Sequence, residues 1–525
     1  VSATAGGNAE TLEIAEGSTL WELVTNRAAL TPGRMMLADE KGRTLTFAEF
    51  RAQAERVAAG LMARGIGPGS VVAWQLPTKF ETVLLSMALA RLGAVQVPII
   101  ALYREREVGS LLRNTGATTY VVPGVWRGFD YVAMGNALAE AGVAPQGFEV
   151  MNLDDGLPEA DPATLPPPPT DGEAIRWLYS TSGTTSEPKV VQHADSTLIA
   201  GGVGLSMKMR PVPSDVGSIA FPYPHIGGPN YMVMILRCGL PTVLLEAFVI
   251  DQAIATFNQF GVSFAGGSTA HYLAFLAAQD KQPGTKIVPT LRLMAGGGAP
   301  KPPDIYFRAV EEMQVRILHG YGMTECPMIA NGAWSDTDDQ LAHSEGGPVF
   351  ACEILIVGPD GEPVGAGVDG DVLVRGPMLA KGYADAEATT EAFRPDGFFR
   401  TGDRGHLRAD GHITLTGRSK ELIIRKGENI SPKEIEDILS AHPRVAAVAV
   451  IGLPDAERGE RVCAVVEMLA GAEPLTFVEM LEACREAKLM TQKTPEQLEV
   501  VDAMPRNPTM KILKRTLVER FSAPK

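Results

Sequence analysis

Between residues 46 and 100 the chain passes twice from a helical pattern to a short apolar run, and this alternation constrains the fold more than any other feature. Thr46 and Glu49 have the spacing of a capping box, and Phe50, Ala54, Val57 and Leu61 recur at 4-3-4 spacing before Gly65. This predicts an amphipathic helix over 46–65. A run at 71–76 (VVAWQL), a helical segment around 80–92 and a second run at 94–100 follow. Strands that alternate with helices predict a largely parallel α/β sheet. The apolar window 82–103 is broken by Arg91, Gly93 and Pro98, and reads as a buried helix and strand, not a membrane span.

Residues 161–172 (DPATLPPPPTDG) are polar and proline-rich, which predicts an exposed connection. A second break falls near 417–433. Ser431, Pro432 and Glu434 combine a cap, a proline for the first helical position and a capping-box acid. Ile435, Ile438 and Leu439 then mark a helix, and apolar runs at 445–453 and 461–469 complete a small α+β unit. At about a hundred residues it is large enough to fold as a domain. The chain of 525 residues is therefore read as a large α/β unit, 1–419, and a small α+β unit, 420–525.

Hydrophobic residues make up 45% and charged residues 21%, which excludes a mainly disordered chain. Lys plus Arg number 47 against 62 Asp plus Glu, a net charge of −15 that argues against nucleic acid and an anionic membrane as partners. The five cysteines (Cys238, Cys326, Cys352, Cys463 and Cys484) are far apart, and none forms a C-x-x-C. They are read as reduced thiols of a cytoplasmic protein, with no zinc site and no disulfide framework. VSATAGGNAE lacks the basic stretch and apolar run of a signal peptide.

Five blocks carry chemistry. Tyr179 to Lys189 (YSTSGTTSEPK) sets Ser180, Thr181, Ser182, Thr184 and Thr185 around Gly183 and ends in a lysine, after an apolar run. Hydroxyls, backbone N–H groups and one cation suit a polyphosphate, although the usual P-loop spacing is absent and a Ser/Thr-rich surface turn is the plainer reading. The others are HGYGMTE (319–325), FRTGD (399–403), GRSKELIIRKGENISPKEIE (417–436) and PRNPTMKILK (505–514).

In this order and at these separations, the blocks resemble the adenylate-forming superfamily of acyl-CoA synthetases, luciferases and peptide-synthetase adenylation domains, over roughly residues 15–520. The sequence is most similar to bacterial fatty-acid and cyclic-acid CoA ligases. The resemblance implies a large N-terminal domain that binds acid and ATP, and a small mobile C-terminal domain that rotates between half-reactions. A carboxylate attacks the α-phosphate of ATP to give an acyl-adenylate and pyrophosphate. A thiol, most often that of coenzyme A, then displaces AMP.

Carried onto this chain, the resemblance implies that Ser182, Thr184, Thr185 and Lys189 cradle the β- and γ-phosphates. Tyr321 lies against adenine, beside the backbone of Gly296, Gly297 and Gly298. Thr324 binds the α-phosphate, and Glu325 helps to hold Mg²⁺. Asp403 accepts from the ribose hydroxyls, Arg418 reaches ribose and phosphate, and Lys511 is the catalytic cation at the developing charge. Lys420 marks the hinge, Gly427 lines the thiol tunnel, and Arg425 and Lys426 stand near the phosphates of coenzyme A or are simply solvated. In FPYPHIGG (221–228), His225 stands at the entrance of the acid pocket, or is a structural histidine, and Gly227 and Gly228 leave space. No acidic residue in that block would bind a substrate amine.

The chain departs from the family at Ser186 and Val190, where glycine is usual and a stiffer phosphate loop is expected, and at Met510, which stands where glycine precedes the catalytic lysine. The expected protein is an ATP-dependent acyl-CoA ligase for a fatty, alicyclic or steroid-type acid, with ATP, Mg²⁺ and coenzyme A and no membrane span; an oligomer is left open. The alternatives are an acyl-AMP ligase that serves a carrier protein and a non-catalytic nucleotide-binding relative.

Overall fold

The computed structural model describes residues 12–181, 189–299, 301–425, 428–455, 458–487, 489–490, 493–507 and 510–522, without the side chains of Lys420, Glu428 and Asn429. The first helix read from the sequence spans Phe47–Ala63. The Glu49 N–H donates to Thr46 Oγ1 at 3.2 Å, and the Thr46 N–H donates to the Glu49 carboxylate at 2.8 Å. Strand Val71–Trp74, helix Phe80–Leu92 and strand Val95–Pro98 follow, and Gly93 stops the helix at φ 71°.

Among the described residues these strands belong to a seven-stranded sheet, in the order Gly382–Tyr383, Val190–Ala194, Ile175–Ser180, Val95–Pro98, Val71–Trp74, Thr119–Val122 and Glu149–Asn152. A nine-stranded sheet packs with it around one large apolar core. Its parallel centre runs Arg316–Met323, Leu293–Gly297, Phe264–Gly267, Gly217–Ile219, Thr242–Leu244 and Met35–Asp39. A four-stranded antiparallel sheet, Glu353–Val357, Gly370–Arg375, Phe399–Leu407 and Ile413–Arg418, carries the chain to residue 418.

A five-stranded sheet is built from Glu428–Ile430, Ile423–Arg425, Gly459–Met468, Val445–Asp455 and Gln497–Val501, with an apolar cluster on each face. The fold is thus a large multi-sheet α/β body followed by a smaller α+β part. Helix Pro432–Ser440 begins where Ser431, Pro432 and Glu434 predict, but by a different device. Ser431 donates its hydroxyl to the Thr416 carbonyl instead of capping its own helix, and Glu434 pairs with Lys493 at 2.6 Å. All five cysteines are buried, and no helix among the described residues is long and apolar enough to cross a membrane.

Candidate active site

The C-terminal ends of the parallel strands collect much of what the motifs single out. Gly296 and Gly297 end one strand and lie in register with His319 and Gly320 of the next. A Cβ on Gly296 would come within 2.0 Å of the Gly267 carbonyl oxygen, and one on Gly297 within 2.3 Å of the Gly320 oxygen. Sheet packing therefore requires both glycines, while Gly298, at φ 83°, serves the turn.

Tyr321 follows on the same strand. It is buried, and its hydroxyl donates to Asp403 Oδ2 at 2.5 Å. Asp403 pairs across the ladder with Arg418, whose Nε lies 3.0 Å from Oδ1. The Asp403 N–H donates to Thr401 Oγ1 at 3.0 Å, and the Thr401 hydroxyl donates to the Val372 carbonyl at 2.7 Å. Both carboxylate oxygens are thus held by protein, and each keeps further lone pairs for a ligand. Burial and the adjacent carboxylate raise the Tyr321 phenol well above its ordinary value, so it stays a donor.

Thr324 and Glu325 form the tight turn between Arg316–Met323 and Cys326–Asn331. Two contacts from the seven-stranded sheet fix this turn. His193 Nε2 meets the Thr324 carbonyl at 2.7 Å, and the Tyr383 hydroxyl donates to Glu325 Oε1 at 2.6 Å. A carbonyl only accepts, so Nε2 carries the hydrogen and Nδ1 faces the Thr197 hydroxyl at 2.8 Å. Burial holds the His193 pKa down to about 4, which keeps the ring neutral. Lys189 Nζ sits 4.8 Å from the centre of the Tyr383 ring.

Ser182, Thr184, Thr185 and the departure at Ser186 lie outside the described residues. The ends that hold them are defined: Ser180 pairs with Val190, and the Thr181 N–H donates to the Lys189 carbonyl at 3.0 Å. Val190 is therefore a buried strand residue, so its extra bulk acts on core packing and not on loop stiffness.

Lys511 lies within the electrostatic reach of Arg418, Asp403, Glu421 and Glu325. Packing around its ammonium, then the nearby Arg418 guanidinium, pull its pKa below the usual lysine value, against Asp403, Glu421 and Glu325. The Lys511 N–H donates to Asn507 Oδ1 at 2.9 Å, and the Asn507 N–H donates to the Lys511 carbonyl at 2.8 Å. Met510, just before it, takes φ 67°, a left-handed conformation that favours glycine. His225 keeps an exposed edge, and surrounding protein, with Lys511 second, holds its pKa down to about 4.

Three expected residues sit differently from the sequence reading. Gly228 leaves no room for an acid: a Cβ there would meet the Tyr223 carbonyl oxygen at 2.0 Å, so a backbone turn needs it. Gly227 packs between His225 and the Phe221 ring, and its N–H donates to His225 Nδ1 at 3.2 Å. Arg425 is half-buried and bound to Glu496 at 2.5 Å, not presented to solvent. Lys426, Gly427 and the Lys420 side chain lie outside the described residues. His193, Tyr383 and Asn507 were missed; only Asn507, inside PRNPTMKILK, carried a local signal.

Two family profiles match the chain: AMP-binding enzyme over residues 24–384, and AMP-binding enzyme C-terminal domain over 434–511. The chain is 32% identical over 522 residues to the salicyl-AMP ligase / salicyl-S-ArCP synthetase of Mycobacterium tuberculosis, covering 96% of this chain and 91% of that one. It is 28% identical over 500 residues to the medium-chain fatty-acid–CoA ligase of Escherichia coli, covering 93% and 88%. The o-succinylbenzoate CoA synthetase of Bacillus subtilis, solved with its acyl-adenylate intermediate, has a TM-score of 0.83 at 28% identity, covering 95% of this chain and 98% of that one. Its complex with ATP and a magnesium ion gives 0.83 at 27% identity, covering 95% and 99%.

Proposed function

We infer the acid and the residue roles from the site, since the chain belongs to the AMP-binding enzyme family and is an ATP-dependent, AMP-forming acid–thiol ligase that works through an acyl-adenylate. The acid is apolar: fatty, alicyclic or steroid-type. Support comes from the segment 221–228, which holds no acidic residue for an amine, and from Phe221, which packs edge-on against Tyr231 at 5.2 Å.

The observation that carries the assignment of roles is the Asp403 carboxylate held by Tyr321 Oη at 2.5 Å and by Arg418 Nε at 3.0 Å, with Lys511 near enough to feel both Asp403 and Arg418. Asp403 and Arg418 take the ribose, Tyr321 and the Gly296–Gly298 backbone take the adenine, and Thr324 takes the α-phosphate. An oxygen of the acid attacks the α-phosphorus, the bond to pyrophosphate breaks, and pyrophosphate leaves. Lys511 sits where negative charge grows on that centre; removing one such group typically costs about a hundred-fold or more in rate. The thiol sulfur then attacks the acyl carbon, the acyl–phosphate bond breaks, and AMP departs as the thiol proton is lost.

Magnesium fits this site. Glu325 offers a buried carboxylate bonded by Tyr383, whose ring Lys189 overlies, and no group of three or more His, Cys, Asp or Glu among the described residues could hold a metal alone. Glu325 would help to hold the hard cation, which would neutralise polyphosphate charge. We assign Lys420 to the hinge and the part after residue 419 to the mobile domain. The reaction is assigned to the cytoplasm, where ATP and coenzyme A are available.

One relative supports a carrier-protein thiol as a second reading, since it is named for a salicyl-S-ArCP product. The engagement of Arg425 by Glu496 also favours it, because that cation is not offered to coenzyme A phosphates. Pyrophosphate release across matched aliphatic, alicyclic, steroidal and aromatic acids tests the acid class. The apolar non-aromatic acids should be turned over best; activity confined to aromatic acids would overturn the assignment.

A further inference from the structure

The nine-stranded sheet changes direction between strands Gly217–Ile219 and Phe264–Gly267. From Gly217–Ile219 the chain passes through helix Gly227–Cys238 to Thr242–Leu244 on one side. From Phe264–Gly267 it passes through helix Thr269–Gln279 to Leu293–Gly297 on the other. Right-handed crossovers then put the two helices on opposite faces and open a crevice where they diverge, beyond the C-terminal strand ends. The segment 221–228 follows strand Gly217–Ile219, and Gly296 and Gly297 end the strand next to Phe264–Gly267.

The N-terminal halves of both helices bring a buried phenol to these strand ends. Tyr231 is 6% exposed and Tyr272 is 1% exposed, and neither hydroxyl has a hydrogen-bond partner among the described residues. A Cβ on Gly266 would lie 2.8 Å from Tyr231 Oη, and one on Gly296 would lie 2.9 Å from Tyr272 Oη. Gly266 and Gly296 belong to adjacent, parallel strands. Aromatic rings surround Tyr231: Phe221 at 5.2 Å and Phe264 at 6.1 Å between ring centres. Burial raises both phenols and keeps them protonated, and Tyr231 lies close enough to raise Tyr272 a little further.

A buried hydroxyl with no partner is unfavourable unless something completes it. We propose that Tyr231 is a specificity-determining residue whose hydroxyl hydrogen-bonds a neutral oxygen, of a hydroxyl, ether or carbonyl group, on the otherwise apolar body of the acid. Tyr272 supplies a second hydroxyl at the neighbouring strand end. A neutral group is required because the apolar rings around Tyr231 offer nothing to pair with a charge. This inference rests on the ligase reading above, and it narrows the acid from apolar in general to an apolar skeleton that carries a hydrogen-bonding oxygen.

The test uses matched pairs of alicyclic and steroidal acids that differ only by a hydroxyl or keto oxygen, assayed for acid-dependent pyrophosphate release. The native enzyme should prefer the oxygenated member of at least one pair by about ten-fold or more in kcat/KM. Tyr231→Phe should bring that pair to near parity and leave kcat/KM for the plain acid unchanged or higher. The variant's Tm in the absence of acid should be unchanged or raised, since the hydroxyl has no partner to lose. Turnover of both members without preference, or a preference that survives in Tyr231→Phe, would overturn the inference and leave the ligase reading standing. A fall in Tm of several degrees would make the hydroxyl structural and overturn it too. Absence of release with every acid would contradict the ligase reading and this inference together.

Discussion

Asn507 and Lys511 grip each other twice: the lysine N–H donates to Asn507 Oδ1 at 2.9 Å, and the asparagine N–H donates to the Lys511 carbonyl at 2.8 Å. The backbone that carries the ammonium is therefore set by a side chain four residues earlier. We predict that Asn507→Ala slows acyl-adenylate formation about ten-fold or more, while preformed acyl-adenylate still reacts with the thiol at the native rate. Asn507→Asp keeps the accepting oxygen and should restore most of the loss. Equal damage to both half-reactions would show a merely structural role.

Met510 pays for its place with a left-handed backbone, at roughly 1–3 kcal/mol for a non-glycine residue. Glycine removes that strain but gives the unfolded chain about 0.4–1 kcal/mol more entropy to lose. Met510→Gly should therefore preserve adenylation and change stability by no more than about 1–2 kcal/mol. Met510→Val, with a β-branched side chain at positive φ, should slow single-turnover adenylation about ten-fold or more. A valine variant with native adenylation kinetics would show that this conformation is not needed.

Lys511→Ala should abolish adenylation, by a hundred-fold or more, and leave thioester formation from preformed acyl-adenylate intact. Parallel loss of both activities in a folded variant would refute the division of labour between half-reactions. Lys420→Pro should do the reverse, sparing adenylate formation and slowing the thiol step. Native rates in both steps would remove Lys420 from the hinge.

The buried histidines make stability depend on pH. Burial lowers the His193 pKa to about 4 and that of His319 to about 3, from an ordinary value of 6.5. Between those values and 6.5 the unfolded chain binds protons that the folded chain does not. Their contribution is therefore complete above about pH 6.5 and is lost as the pH falls toward 4, by about 3 kcal/mol for His193 alone. Chemical unfolding at pH 7 and pH 4.5 should show this loss. His193→Gln, which keeps a donor for the Thr324 carbonyl, should make it shallower by the His193 share and leave the His319 share in place. An equally steep acid loss in that variant would rule out His193 as a source.

The elements most legible in the sequence were those written by neighbouring residues. Thr46 and Glu49 cap their helix as their spacing requires, and Gly93 ends the next one. What sequence reasoning missed joins distant segments. Glu325 and Tyr383 are 58 positions apart, and His193 and Thr324 are 131 apart. These contacts exist because two sheets meet, which no local pattern records. Ser431 shows the same limit, since a residue with perfect capping chemistry spends its hydroxyl on Thr416 of a preceding strand. Gly228 was read as space for a ligand, whereas the Tyr223 carbonyl occupies the position a side chain would need.

The most direct test of the central claim is acid-dependent pyrophosphate release from ATP and Mg²⁺, measured with and without coenzyme A. The account predicts release only when a suitable acid is present, sustained through many turnovers once coenzyme A is added. About one equivalent of pyrophosphate per enzyme, unchanged by coenzyme A, would contradict it and leave a carrier-protein thiol as the acceptor.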